Sequence, residues 1–196
     1  MKNINSSKKS KLIKGQTLAV MLVNIAIGAV AGIKYADLEP RHQTIISKDA
    51  NLDICFTPSS SGCTTVITRA IASANNSIYI QAYGFTSASI ADEIVKAKKR
   101  GVAVSVILDK SNISSKHSKM KLLKQYDVNV RIDTVPGIAH NKVMIIDDST
   151  VITGSFNFTE AADKSNAENV IIIQNSDVAK IYLDNWQKRY LRSREA

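Results

Sequence analysis

The chain has 196 residues and a formal net charge of +9, from 26 Lys and Arg against 17 Asp and Glu. A chain of this length accommodates one globular domain with a sizeable core. The hydrophobic share of 44%, with only 8 Gly and 3 Pro, excludes a disordered or fibrous protein.

Residues 1–31 have the pattern of an export signal. Five lysines and no acidic residue precede an apolar run from Leu18 to Ile33, and Ala29-Val30-Ala31 fits a small-residue cleavage site. We expect a signal peptide cleaved after Ala31, and therefore a periplasmic or secreted protein. The alternative is an uncleaved inner-membrane anchor, although the run is short for a bilayer span of about 20 residues. Membrane attachment is expected only in that second case.

The remaining charge is unevenly distributed. Loss of the five leader lysines lowers the net charge from +9 to +4. Between Lys96 and Lys124 there are nine basic residues, and Asp109 is the one acid. Such an excess steers a polyanion towards a protein surface, and we expect substrate contacts there. Alternatively, the four cations from Lys96 to Arg100 complement the dipole at the end of a helix.

Residues 32–50 are predicted to be an irregular lead-in, and residues 51–196 to form one domain in which helices alternate with strands. Apolar patterns predict strands over Leu52–Phe56, Ser77–Tyr83, Val102–Leu108 and Val128–Ile132. Helices are predicted over Cys63–Ala74, from a capping box at Ser89 and Asp92 to a terminating Gly101, and over Lys116–Gln125. This alternation favours an α/β layer fold.

From Pro136 onward the pattern changes to that of a hairpin. Pro136-Gly137 turns the chain, Val143–Ile146 forms an apolar strand covered on both sides, and Val151–Thr153 returns antiparallel to it after a polar turn. The sheet is therefore predicted to be mixed. The last predicted elements are a strand over Asn169–Ile173 and a helix opening at Ser176, with Val178, Ile181, Tyr182, Trp186 and Tyr190 on one stripe.

The hairpin gathers groups suited to attack on a phosphodiester. Residues two apart in a strand share a face, which pairs His140 with Lys142 and Ser155 with Asn157. Lys142 supplies a positive charge, while Ser155 and Asn157 supply hydrogen bonds to non-bridging phosphate oxygens. A neutral His140 can attack phosphorus and form a covalent intermediate. This chemistry requires no metal.

Two carboxylates are assigned to accompanying roles. Asp147 lies an odd number of residues from His140, so strand parity directs it to the opposite face and to a supporting role. Glu168 opens the last predicted strand, and it is the candidate for the carboxylate that fixes the tautomer of His140.

The pattern His140-x-Lys142-x4-Asp147-x6-Gly154-Ser155-x-Asn157 resembles the HKD signature of the phospholipase D superfamily. Further stretches resemble its small bacterial endonucleases, over roughly residues 52–190: Cys55-Phe56-Thr57-Pro58, Gln81-Ala82-Tyr83-Gly84-Phe85-Thr86, Phe156-Asn157-Phe158-Thr159 and Ala167-Glu168-Asn169. The resemblance implies an α/β/α sandwich around a mixed β-sheet. It also implies two-step cleavage in which His140 becomes phosphorylated, a second histidine protonates the leaving oxygen, and Glu168 hydrogen-bonds the histidine.

Larger superfamily members carry two HKD motifs, whereas this chain has a single one. His117-Ser118-Lys119 begins like a second copy, but Lys124 stands where the aspartate is required. A mechanism with two histidines therefore needs a second copy of His140. We expect a two-fold homodimer with one composite active site at its interface.

The two cysteines, Cys55 and Cys63, bracket a short loop. An exported protein meets an oxidising compartment, which favours a disulfide, with two free thiols as the alternative. His42 and His117 belong to no ligand-spaced cluster, so neither a metal nor another cofactor is expected.

Three functions are compatible with these patterns. The first is an exported, metal-independent endonuclease that hydrolyses DNA, with RNA as a further substrate. The alternative is a lipid phosphodiesterase or phosphatidyl transferase, which would call for an exposed apolar surface near the site, where the loops are predicted to be polar. The third, a nucleic-acid-binding protein without activity, is disfavoured by the intact motif.

Overall fold

The computed structural model describes residues 50–59 and 62–196. The predicted signal peptide, residues 1–31, and nearly all of the predicted lead-in, residues 32–50, lie outside the described residues. Both therefore stay predictions. In the described part of the chain, no helix combines the length and the apolar character needed to span a bilayer.

The described residues form a sheet of eight strands in the order β1-β7-β6-β5-β2-β3-β4-β8. The strands are β1 Asn51–Thr57, β2 Ser77–Ala82, β3 Ala103–Leu108, β4 Asn129–Ile132, β5 Lys142–Ile146, β6 Thr150–Gly154, β7 Glu168–Gln174 and β8 Arg194–Glu195. Strands β2, β3 and β4 are parallel, and the other pairings are antiparallel. The predicted mixed sheet is confirmed, including the hairpin of β5 and β6. The two-residue β8 was not predicted.

The helices of the described residues are α1 Cys63–Ala72, α2 Ala88–Lys99, α3 Ser111–Ser114, α4 Met120–Gln125, α5 Glu160–Lys164 and α6 Ser176–Arg192. The prediction of one helix from Lys116 is wrong at its start, because α4 begins at Met120. The short helices α3 and α5 carry too few residues for a periodic signal, and neither was predicted.

The predicted capping box at Ser89 is also wrong. Ser87 is the N-cap of α2, and its hydroxyl accepts a hydrogen bond from the backbone N–H of Ile90 at 3.3 Å. Ser87 has the extended backbone that an N-cap requires, whereas Ser89 already lies in the first helical turn. The predicted end is confirmed, because Gly101 follows α2 with a φ of 96°.

Helices cover both faces of the sheet. On one face, Ile67 and Ile71 of α1 and Ile90 and Ile94 of α2 join a core with Ile78, Ile80 and Met144. On the other face, Trp186 of α6 packs with Ile107, Ile145 and Val151. The Trp186 indole N–H donates to the carbonyl of Ile80 at 2.9 Å, which satisfies its buried polar atom. The predicted α/β/α sandwich is confirmed.

The strand directions define one functional edge of the sheet, here termed the site edge. The C-terminal ends of β1, β2, β3, β4 and β6 lie at this edge, together with the N-terminal ends of β5 and β7. In the register, Lys142 at the start of β5 lies opposite Ala82 at the end of β2. Loops that follow or precede these ends therefore meet at one place.

The basic patch between Lys96 and Lys124 is divided by this topology. Helix α2 returns the chain from the site edge to the start of β3, so the cations from Lys96 to Arg100 lie at the opposite edge. Arg100 donates to the carbonyls of Ile71 and Ala74, and Lys96 pairs with Glu93 at 2.9 Å. These contacts favour the helix-end interpretation for this half of the patch.

Cys55 of β1 and Cys63 at the start of α1 form a disulfide, with a Cα–Cα separation of 5.8 Å. The predicted bond is confirmed, and the alternative of two free thiols is wrong. The bond ties the edge strand of the sheet to the helix that covers it.

Candidate active site

The backbone on both sides of His140 is fixed by neighbouring strands. The Ala139 N–H donates to a carboxylate oxygen of Asp109 at 2.7 Å, and the Asn141 carbonyl accepts from the Tyr83 N–H at 2.9 Å. Strand β5 begins at Lys142, so His140 lies in the loop before it rather than within the strand as expected. These two backbone contacts, and not strand parity, position the imidazole.

His140 and Lys142 share one aromatic neighbour. The Tyr83 ring centroid lies 4.7 Å from that of the His140 imidazole and 5.4 Å from the Lys142 Nζ. The Lys142 Nζ also donates to the His140 carbonyl at 2.8 Å. The ring therefore supports the imidazole by contact and the ammonium by a cation–π interaction.

Lys142 is almost completely buried, with 6% of its surface exposed. Burial lowers the pKa of Lys142, because removal from water disfavours the ammonium, while the charge of Glu168 acts in the opposite direction. A cation held with little water around it interacts more strongly with an incoming anion. Lys142 thus suits the neutralisation of a phosphoryl group.

Ser155 follows β6 at a point where the chain needs glycine. Gly154 has a φ of 145°, and a Cβ there would lie 2.2 Å from the Asn169 carbonyl oxygen. The Ser155 hydroxyl donates to Glu168 at 2.5 Å and accepts from the Asn169 N–H at 3.1 Å. Its side chain is exposed at the site edge but already hydrogen-bonded on both sides.

Asn157 offers an amide donor to the same edge. Its Oδ1 accepts from the Gly84 N–H at 3.3 Å, which assigns the oxygen of the amide. Its Nδ2 has no hydrogen-bond partner among the described residues. Gly84 directly follows Tyr83 in the chain, so this contact places Asn157 beside the segment that carries the aromatic neighbour of His140.

Glu168 does not hydrogen-bond His140 within one subunit, as far as the described residues show. Its oxygens accept from Ser155 and from the Asn166 side chain at 3.0 Å. Strand β6 lies between β7, which carries Glu168, and β5, which follows His140. Two interstrand spacings amount to roughly 10 Å, so the predicted contact is not formed in this chain.

Asp147 lies at the other end of β5 from His140. Its carboxylate accepts backbone N–H bonds from Asn75 at 2.9 Å, Asn76 at 2.7 Å and Ser77 at 2.9 Å. Burial by itself raises the pKa of Asp147, but these hydrogen bonds outweigh it and hold the pKa below its usual value. The supporting role follows from the length of the strand rather than from strand parity.

Tyr83 and Asp109 were missed as site residues by the sequence analysis. Asp109 is 2% exposed, and it also accepts from the Ser111 N–H at 2.9 Å. Burial raises the pKa of Asp109, but the N–H donors of Ser111 and Ala139 bring it below its usual value. The available signal was positional, because both residues directly follow apolar strands that end at one edge.

Within residues 50–59 and 62–196, no three His, Cys, Asp or Glu side chains form a group able to hold a metal ion. The metal-independent chemistry stays a prediction.

Several known proteins are similar to this chain. The model of the cardiolipin synthase, phospholipase D-like domain matches residues 67–190. Phospholipase D from Rickettsia typhi is 53% identical over 139 residues, which are 71% of this chain and 68% of that protein. Mitochondrial cardiolipin hydrolase from Mus musculus is 30% identical over 68% of this chain and 61% of that protein.

Two solved structures share the fold. Nuc from Salmonella typhimurium, a phospholipase D family member, matches with a TM-score of 0.71 and 35% identity, over 76% of this chain and 99% of that one. NucT from Helicobacter pylori matches with a TM-score of 0.70 and 25% identity, over 76% of this chain and 100% of that one.

Proposed function

The chain belongs to the phospholipase D superfamily, which includes phosphodiester hydrolases, and we propose that it cleaves nucleic-acid backbones through a phosphohistidine on His140. The observation that carries the proposal is that His140 and Lys142 share Tyr83 as a neighbour, while Asn157 binds the backbone of the adjacent Gly84. DNA is the expected substrate, and RNA is a second one.

Each group has a defined part in the proposed reaction. An imidazole nitrogen of His140 attacks phosphorus, a P–N bond forms, and the P–O bond to the leaving oxygen breaks. A second histidine donates the proton that the leaving oxygen needs. Water then attacks phosphorus, the P–N bond breaks, and the second histidine recovers its proton from that water. Lys142 and Asn157 hold the non-bridging oxygens throughout.

Ser155 must change its hydrogen-bond partner before it can bind the phosphate together with Lys142 and Asn157. Its proton is donated to Glu168 in the unliganded site. When a phosphate oxygen is present, rotation of the hydroxyl transfers this hydrogen bond from the carboxylate to the substrate. Ser155 is therefore expected to assist binding less than Lys142, whose charge is fixed.

The second histidine comes from a second copy of the chain. The single HKD motif supports a homodimer in which two identical motifs face each other across the two-fold axis. We assign to Glu168 of each subunit the orientation of His140 in the other, since the two do not bond within one subunit. Light scattering combined with activity tests this arrangement, and a fully active monomer contradicts it.

The protein is proposed to act outside the cytoplasm and without a metal. The lysine-rich, acid-free leader pattern and the Cys55–Cys63 disulfide support export, because such bonds persist in oxidising compartments. The full chain incubated with plasmid DNA, RNA and bis-p-nitrophenyl phosphate in EDTA should cleave the diester bonds. Loss of all activity in EDTA, restored by a divalent ion, contradicts the proposal.

A lipid phosphodiesterase or phosphatidyl transferase is the second candidate, and one observation favours it. Ile138, two residues before His140, is 57% exposed, and Ile113 of α3, whose neighbour Asn112 donates to the Tyr83 carbonyl, is 46% exposed. The expectation of polar loops near the site is therefore only partly met. The similar proteins include a phospholipase D and a cardiolipin hydrolase. Headgroup release from phosphatidylcholine and from cardiolipin, compared with plasmid cleavage, separates the two candidates.

A further inference from the structure

Two segments at the site edge form one surface, here termed the cationic rim: residues 110–119 after β3, which include α3, and residues 134–139 before His140. The Lys110 Nζ donates to the Pro136 carbonyl at 3.1 Å, and Asp109 binds the N–H of Ala139. The rim is thus a continuous border on the β3–β4 side of the catalytic histidine.

The rim combines positive charge with exposed aliphatic side chains. It contains Lys110, Lys116 and Lys119 and neither Asp nor Glu. Ile113 of α3 and Ile138 each have about half of their surface exposed. The last turn of α6 extends this surface with Arg192 and with Leu191, which is 82% exposed, because the Thr134 hydroxyl donates to the Arg192 carbonyl.

This combination matches a lipid surface better than a single-stranded nucleic acid. Lysines serve any polyanion, but proteins that hold single-stranded nucleic acid stack the bases on aromatic rings, and the rim has no Phe, Tyr or Trp. Exposed aliphatic side chains flanked by lysines are the features that bind the boundary of headgroups and acyl chains in anionic membranes.

We propose that the cationic rim docks the site edge on an anionic phospholipid surface, with Ile113 and Ile138 inserted among the headgroups and the lysines on lipid phosphates. This docking goes beyond the proposed function, because it does not depend on which diester is cleaved. Docking holds the active site at the level of the headgroups, because His140 is only two residues from Ile138. This holds whether the leader is cleaved or retained.

Tryptophan fluorescence reports the docking at single positions. In the full chain, Ile138→Trp is compared with Ile54→Trp, a matched control because Ile54 on β1 is also 57% exposed. The native Trp186 is buried and common to both variants. Vesicles of dibrominated phosphatidylcholine, with or without phosphatidylglycerol, serve as quenchers. We expect quenching at position 138 several-fold stronger than at position 54, and enhanced by phosphatidylglycerol.

A second pair of variants measures the strength of docking. The double variant Ile113→Ser with Ile138→Ser should reduce vesicle binding, measured by sedimentation, roughly tenfold relative to Ile54→Ser. Its hydrolysis of the soluble bis-p-nitrophenyl phosphate should stay unchanged. His140→Ala, introduced into the Ile138→Trp chain, should abolish that hydrolysis and leave the quenching intact, which distinguishes failure of the catalytic proposal from failure of docking.

Three outcomes would overturn the docking proposal. Equal quenching at positions 138 and 54, or none at either, means that the rim does not enter the lipid surface. Conversion of a dimer to a monomer by the double serine variant assigns the rim to the contact between subunits. A loss of plasmid binding by that variant without any loss of vesicle binding assigns the rim to nucleic acid.

Discussion

The two ends of β5 belong to one sequence motif but do different work. At the first end, His140 is exposed, and Lys142 is buried against the ring of Tyr83 beside it. At the other end, Asp147 binds three consecutive backbone N–H groups in the turn before β2. One end of β5 therefore presents reactive groups, and the other end stabilises the fold through backbone hydrogen bonds.

The difference shows that one motif can contain both reactive residues and a residue that stabilises the fold, at opposite ends of a single strand. Lys142 and Asp147 are separated by the five-residue strand, which spans roughly 17 Å, so Asp147 cannot contact a phosphate bound at His140. Substitutions at the two ends should accordingly separate activity from stability.

The largest effect is expected at the reactive end. His140→Ala should lower turnover of a phosphodiester by roughly a thousandfold or more, because it removes the nucleophile. The melting temperature should stay unchanged, since the His140 side chain is exposed. His117→Ala, at the exposed histidine of the incomplete second motif, is the matched control and should keep full activity.

Lys142→Met is expected to have the next largest effect. The substitution keeps the length of the side chain and removes its charge, so kcat/KM should fall roughly a hundredfold while stability stays within about 1 kcal/mol. Steady-state kinetics and denaturant unfolding measure the two quantities. Unchanged kcat/KM in this variant would show that Lys142 does not bind the phosphate.

At the other end of β5, Asp147→Ala should have the reverse profile. Loss of the three charge-assisted hydrogen bonds should lower the free energy of unfolding by only about 2 kcal/mol, because two of the bonds are exposed to water and the third is partly buried. Activity per folded molecule should be retained below the melting transition. A large fall in kcat without loss of stability would show that Asp147 takes part in the reaction, and the contrast between the two ends of β5 would be wrong.

The smallest effect concerns acid stability. The pKa of Asp147 is lowered in the folded protein, so its stabilisation is complete above the ordinary aspartate pKa of 3.8 and is lost as the pH falls towards the folded-state pKa. Asp147→Asn should therefore show a shallower loss of stability below pH 3.8 than the native chain. Asp109, whose pKa is also lowered, contributes the same trend in both proteins. The acid titrations are followed by circular dichroism. An equal loss of stability in the native chain and in Asp147→Asn would contradict the assignment.

Much of the fold was predictable because it depends on local patterns. Apolar runs and alternation located β2, β3 and β5, and periodicity located α6 with Trp186 on its buried stripe. Errors arose where the pattern is short or ambiguous, as at α3, α5 and the N-cap of α2. Two serines two residues apart are both good caps, and the tertiary path of the chain selected Ser87.

The site was predictable in its chemical groups but not in its supports. The spacing of His140, Lys142, Ser155 and Asn157 indicated phosphodiester chemistry. Tyr83 and Asp109 come from strands far away in the sequence, and no local pattern relates them to His140. The predicted bond from Glu168 to His140 failed in one subunit because the order of β7, β6 and β5 separates them.

The sequence by itself determined the kinds of groups available, the alternation of helices and strands, and the cysteine pair, since these depend on residue type and on spacing along the chain. Tertiary structure alone decided which residues share an edge. The direction of α2 divided the basic patch, and the strand order placed Asp147 away from the site and exposed Ile113 and Ile138 beside it. Strand order and connection direction arise from contacts between distant segments, which local periodicity does not encode.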